Sequence, residues 1–300
     1  MLHRHVAISG DLGSGKSTVA SLVARQTDRR VVSTGAMQRS IAAAKGVSTL
    51  QANLDAEVDE SIDAQIDDML RREGLNGPPT VFDSRLAWHF VPDALTVHLV
   101  VSPDVGVERI QGRSGSIAEN YADASIAFSA LNARVTSERQ RFKTKYQVDI
   151  SRLRNYHVVV DSSDASPVEI AALIIEVLNG EREQGLWISP RRVIPTGNCI
   201  RMLAPDDMPP LTEDPEGSFV CYAQPFFFAA RNYQELSSAI KSGRSLVPAG
   251  LEAEGEDVIA GGLSAVEYMR SETSLSWLYD WEDFHGFRFT QYPITMDASR

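Results

Sequence analysis

The sequence predicts an α/β chain, a P-loop domain with a parallel sheet flanked by helices in residues 1–180 and a smaller α+β domain in residues 181–300. Three observations carry this reading. Short, nearly all-apolar runs rich in β-branched residues alternate with helical stretches through the first 180 residues, as in a parallel sheet covered on both faces. A glycine-rich loop joins the first apolar run to the first helical stretch. The alternation then stops near Asn179-Gly180.

Taken in order, the strands of the first domain are expected at 5–9, 30–33, 80–83, 95–102 and 157–161. Between the second and third lies a helix on which Leu54, Val58, Ile62, Ile66 and Leu70 recur every four residues. Asp55, Asp59, Asp63 and Asp67 form a second stripe beside them. On a helix the two stripes lie about 100° apart, so the apolar one packs inward and the acidic one is expected to be solvated. Residues 73–79, EGLNGPP, break that helix. After Gly180, EREQGLWISPRRVIPTG reads as a linker, and the proline-rich, acidic stretch 195–215 as a loop. The second domain is expected to hold a strand at 218–228, a helix at 232–242, a strand at 246–251 and a helix at 263–269.

Composition is that of a globular protein, with 43% hydrophobic and 23% charged residues, which excludes disorder, collagen and coiled coil. No apolar run reaches the roughly 18 residues a membrane span needs, and the apolar stretch near the N-terminus is too short for a secretory signal. A cytoplasmic protein with no membrane partner is expected. Cys199 and Cys221 are too few for a disulfide framework or a four-ligand zinc site and read as buried thiols. Of the net charge of −11, residues 181–300 contribute 18 acidic against 10 basic residues. Such a balance disfavours a nucleic-acid partner, which calls for a basic face.

Residues 10–17, Gly10-Asp11-Leu12-Gly13-Ser14-Gly15-Lys16-Ser17, match the phosphate-binding pattern G-x-x-x-x-G-K-[ST] in full. They follow a strand and precede an apolar helical pattern (Val19, Leu22, Val23), the context the motif requires. Gly10, Gly13, Ser14 and Gly15 let backbone N–H groups turn toward a phosphate, with Thr18 in the helical turn behind them. Lys16 reaches the β and γ phosphates of ATP, and Ser17 is a ligand for Mg²⁺. A compact domain with an arginine-rich segment before its last strand suggests a phosphoryl transferase that closes over two substrates and excludes water.

Residues 5–178 resemble the cytidylate kinase family of nucleoside monophosphate kinases, especially its short form. The pieces that carry the resemblance are ISGDLGSGKSTVA, STGAMQRSIAAAKGVS, DAEVDESIDAQID, VFDSRLAWHFVPDALTVHLVVSP, ERIQGR, RVTSERQRFKTKYQVDI and NYHVVVDSS, in family order. The resemblance implies a P-loop kinase that uses ATP and Mg²⁺ on nucleotide substrates. It places Ser33 and Gly35 at the acceptor nucleotide, with Arg39 directed at its phosphate. Asp83 stands where a carboxylate holds the Mg²⁺ shell, and Arg85 at an acceptor phosphate or base. Arg109, Arg113, Arg134 and Arg141 frame a segment like the family's lid, whose guanidinium groups converge on the transferring phosphoryl group. The chain departs from the family where Val135 follows Arg134 and where Phe142 replaces a tyrosine, and residues 114–133 hold no basic residue.

Residues 181–300 faintly resemble the ParB and sulfiredoxin-like fold, with Asn232 at the position of a glycine and Glu235 at that of an arginine in its phosphate-binding turn. A silent relative of that fold and an unrelated fold both fit, and a protein partner is one role for it. Trp277, Trp281, Phe284 and Phe287 at helical spacing read as core or interface, and His285 beside Asp283 as structural. Three functions follow. The first is phosphoryl transfer from ATP to CMP or dCMP. The second keeps the chemistry and moves it to a modified pyrimidine nucleotide or a modified base in DNA. The third is a non-catalytic, ATP-sensing scaffold.

Overall fold

A computed structural model describes residues 3–37, 40, 60–112, 124–195, 217–224, 226–231 and 233–254. They fall into two compact units, one of residues 1–101 and 105–184, the other of 102–104 and 185–300.

In the first unit five strands, β1 (His5–Gly10), β2 (Arg30–Ser33), β3 (Thr80–Asp83), β4 (Ala94–Val100) and β5 (Val158–Asp161), lie in the order β2-β3-β1-β4-β5. All four pairings are parallel, with Ile8 opposite Asp83, Ser33 opposite Asp83 and Ser9 opposite His98. The helices are α1 (Lys16–Gln26), α2 (Glu60–Asn76), α3 (Ala87–Phe90), α4 (Pro103–Gln111), α5 (Ala124–Tyr146) and α6 (Pro167–Asn179). β1 and β4 are buried throughout, as strands with helices on both faces must be. The chain runs from β1 to β2 and then returns β3 between them, so the strand order reverses beside β1. Ligands of open α/β sheets bind outside the carboxyl ends of strands at such a reversal.

α1 packs against α6, presenting Val19, Ala20, Val23 and Ala24 from one face. Ser166 caps α6 by accepting from the Glu169 amide (3.2 Å), while the Glu169 carboxylate accepts from the Ser166 amide (2.9 Å). A second core joins Ile66 and Leu70 of α2, Phe82, Leu86, Ala87, Phe90 and Val91, and Phe142 of α5. The periodicity of residues 54–70 is thus realised at Ile66 and Leu70, while Leu54 and Val58 lie outside the described residues. The acidic stripe corrects the expectation of a solvated face: Asp63 and Asp67 are each only 6% exposed. α5 covers that side of α2, with the Tyr146 hydroxyl donating to Asp67 Oδ2 at 2.7 Å. Asp55 and Asp59 lie outside the described residues.

In the second unit β6 (Gly185–Ile188), β7 (Val193–Pro195), β8 (Ser218–Ala223), β9 (Phe226–Arg231) and β10 (Val247–Glu254) form a mixed run in the order β6-β10-β8-β9-β7. Helix α7 (Tyr233–Lys241) connects β9 to β10, which pairs parallel with β8. Two expectations change. The run 218–228 is two antiparallel strands broken by a turn at Gln224, because an apolar run without alternation gives no period from which to place a hairpin. The supposed linker holds β6 and β7, whose Leu186, Ile188, Val193 and Ile194 are buried. Cys221 is buried in β8; Cys199, the helix expected at 263–269 and the aromatic series from Trp277 to Phe287 lie outside the described residues. Among the described residues no helix is long and apolar enough to cross a membrane.

Candidate active site

β1 delivers the chain to Gly10, where the Asp11 amide donates to Leu99 O of β4 at 2.9 Å. The loop then turns through Gly13 (φ 82°) and Gly15 (φ 79°), both in the left-handed region that glycine enters at no steric cost. At Gly13 the requirement is double, since a Cβ there would lie 2.6 Å from Gly106 Cα in α4. Gly15 caps α1, and its carbonyl accepts from the Thr18 amide at 2.9 Å. The Ser14 hydroxyl is buried without a hydrogen-bond partner among the described residues. A buried orphan hydroxyl on a glycine-rich loop at the N-terminus of α1 fits an anionic guest such as a nucleotide phosphate.

Asp83, at the end of β3 and 3% exposed, gathers the next layer. Its Oδ1 contacts Lys16 Nζ, and its Oδ2 accepts from Ser17 Oγ (2.8 Å) and Ser33 Oγ (3.0 Å). Burial pushes this carboxyl up, but the Lys16 ammonium and the hydrogen bonds from Lys16, Ser17 and Ser33 outweigh it and hold the group below the usual carboxylate range. An ionised carboxylate beside a serine hydroxyl is a hard-oxygen donor pair. That pair suits Mg²⁺, which takes one or two protein ligands and fills its octahedron with water and phosphate oxygens. Ser33 also accepts from the Ala36 amide at 3.3 Å, so the hydroxyl that meets Asp83 also caps the helical turn holding Gly35.

The arginines divide. Arg85 of the β3–α3 connection pairs with Glu138 of α5. Arg109 of α4 donates to Ser162 O (2.8 Å) and Ser163 O (3.2 Å), bracing the loop after β5. Arg141 of α5 lies 3.9 Å from Asp63 and stacks its guanidinium over Phe142, 5.1 Å from the ring centre. Arg134 lies on α5, without a described side chain, and Arg39 and Arg113 lie outside the described residues. Lys16, Ser17, Ser33 and Asp83 therefore converge, Arg85 stands two residues from them, and Arg109 faces the β5 loop.

Four contacts escaped the sequence reading: Glu138 against Arg85, Asp63 against Arg141, Lys145 against Asp63 and Tyr146 against Asp67. Glu138, Arg141 and Lys145 fall on one face of α5 at spacings of three and four, a signal visible in the sequence but without meaning until a partner helix is known. Where the family's tyrosine is replaced, Phe142 packs into the core, and the phenol one turn later, on Tyr146, meets Asp67.

Residues 6–126 match the AAA domain family. A cytidylate kinase from Aeropyrum pernix is 37% identical over 185 residues, covering 60% of this chain and 99% of that one. The chain belongs to the cytidylate kinase family. A cytidylate kinase from Methanothrix thermoacetophila is 34% identical over 157 residues, 52% of this chain and 87% of its own. An S-adenosylmethionine-dependent nucleotide dehydratase from Lacinutrix mariniflava is 32% identical over 172 residues, 57% of this chain but only 35% of its own, so the chain spans about a third of that relative. Membership in the cytidylate kinase family makes the chain a kinase-type phosphotransferase with ATP and Mg²⁺ as cofactors.

Proposed function

We propose that the chain transfers the γ-phosphoryl group of ATP to a pyrimidine nucleoside monophosphate, forming CDP from CMP or dCDP from dCMP. The observation that carries this is the convergence of Lys16, Ser17 and Ser33 on Asp83, an arrangement that a transferase needs and a pure sensor has less need of. The cytidylate kinase relatives support CMP as the acceptor.

In this reading the loop amides and Ser14 hold the β-phosphate, and Lys16 places a fixed cation at the β and γ phosphates. Ser17 and Asp83 hold Mg²⁺, which when bound neutralises charge on the phosphate oxygens. Ser33, Gly35, Arg39 and Arg85 receive the acceptor, whose phosphate oxygen attacks the γ-phosphorus as the bond to the ADP oxygen breaks. Arg109, exchanging the Ser162 and Ser163 carbonyls for phosphate, joins Arg113, Arg134 and Arg141 in spreading positive charge over the equatorial oxygens. Residues 1–180 carry this chemistry in the cytoplasm, and residues 181–300 take no part in it.

A second reading keeps every step and replaces CMP by a modified pyrimidine nucleotide. The similarity to a nucleotide dehydratase favours it, and the lid departures at Val135 and Phe142 agree. A coupled ADP-release assay over CMP, dCMP, UMP, AMP, modified pyrimidine monophosphates and oligonucleotides tests both. Turnover fastest with CMP or dCMP is expected, a modified nucleotide at the top of the ranking would select the second reading, and no ADP with any acceptor would refute both.

A further inference from the structure

Charged side chains of alternating sign lead away from the phosphate-binding loop. Lys16 contacts Asp83; two residues on, Arg85 pairs with Glu138; one turn along α5, Arg141 faces Asp63 of α2, which also faces Lys145. The contacts at the far end differ in kind from the others. Asp63 Oδ2 lies 3.9 Å from Arg141 Nη1 and 3.6 Å from Lys145 Nζ, both beyond hydrogen-bond length. Asp63 Oδ2, Arg141 Nε and Lys145 Nζ are all buried and have no hydrogen-bond partner among the described residues.

A carboxylate so placed does two things at once. Its charge makes it possible to hold two cations close together out of water, where each would otherwise repel the other. Because it bonds to neither, the donors of the guanidinium and the ammonium stay available for another anion. Asp63 itself is kept in place by burial and by its position one turn before Asp67, which the Tyr146 hydroxyl anchors to the C-terminal end of α5.

We propose that Asp63 is a positioning residue that holds Arg141 and Lys145 side by side as a cation pair for the acceptor's phosphate, with Lys145 a further acceptor-binding residue. This rests on the proposed function above and deepens it: Arg141, which there spreads charge over the transferring phosphoryl group, reaches that group from the side of the acceptor's phosphate. A dianionic monophosphate matches two adjacent cations, one planar and bidentate and one a point charge, better than either alone.

The test compares Asp63→Asn, Asp63→Glu, Arg141→Met, Lys145→Met and the Asp63→Asn/Arg141→Met double variant in the full chain, with CMP and ATP varied separately and folding followed by circular dichroism. Asp63→Asn is expected to lower kcat/KM for CMP about tenfold or more while KM for ATP stays within about twofold, and Asp63→Glu to recover most of the loss. The double variant is expected to lose less than the two single losses combined, because Asp63 acts in part through Arg141 and in part through Lys145. Equal effects on CMP and ATP, additive losses, or a loss in Arg141→Met that Asp63→Asn does not share would overturn the inference and leave the kinase reading standing. If Asp63→Asn does not fold, Lys145→Met carries the test, and an unchanged KM for CMP there overturns the inference. A wild-type chain that phosphorylates no nucleotide would overturn the function itself, and the inference with it.

Discussion

At the scale of single residues, Asp83 is where the contacts of Lys16, Ser17 and Ser33 meet. Replacing Lys16 by Ala removes the cation that faces it and is expected to cut transfer more than tenfold, since a fixed charge at a transferring phosphoryl group is worth well over about 1.4 kcal/mol. A variant keeping a tenth or more of wild-type turnover in the ADP-release assay would move the chemistry elsewhere. Arg85→Ala is expected to raise KM for the acceptor far more than for ATP, and equal effects on both would remove Arg85 from the acceptor side. Lys16, Ser17 and Asp83 were legible because a contiguous motif and a strand end announce them. Glu138 and Asp63 were not, because each has meaning only through a partner on another element: Arg85 lies 53 residues before Glu138, and Arg141 lies 78 residues after Asp63.

At the scale of elements, the strands of the first unit were readable within a residue or two, since runs such as VAIS and VVVD have no exposed face to confuse the pattern. α2 shows the limit. Its acidic and apolar stripes follow the same period, and nothing local says that α5 will cover both. The cap of α6, by contrast, is spelled out in sequence as Ser166-Pro167-Val168-Glu169. Ser166→Ala is expected to cost about 1 kcal/mol by losing the hydroxyl that accepts from the Glu169 amide. Urea unfolding would measure it, and a midpoint unchanged from wild type would mean that the first turn is held by packing instead.

At the scale of the whole molecule, three histidines set a pH dependence. Burial, above all, and then neighbouring positive groups hold His5, His89 and His157 below the usual imidazole range. Unfolding returns them to about 6.5, so as pH falls through that value the unfolded chain takes up protons the folded chain refuses, and stability drops. Asp67, whose carboxyl burial raises, works the other way, but it is one group against three. Melting temperature is therefore expected to be lower at pH 5.5 than at pH 7.5, and the reverse order would refute the assignment. A chain of residues 1–184 is expected to keep phosphoryl transfer within about tenfold, less than about 1.4 kcal/mol in barrier, and a folded but inactive fragment would bring the second unit into the site. That unit was hardest to read because short strands such as GLWI and VIP occur equally in loops. Its β8 strand nevertheless carries a built-in clock. Cys221 is only 2% exposed, so an alkylating reagent reaches its thiol only when the strand opens. The rate at which mass is added to the peptide containing Cys221, divided by the rate for an exposed thiol, is the equilibrium constant of the opening that frees β8 from β9 and β10.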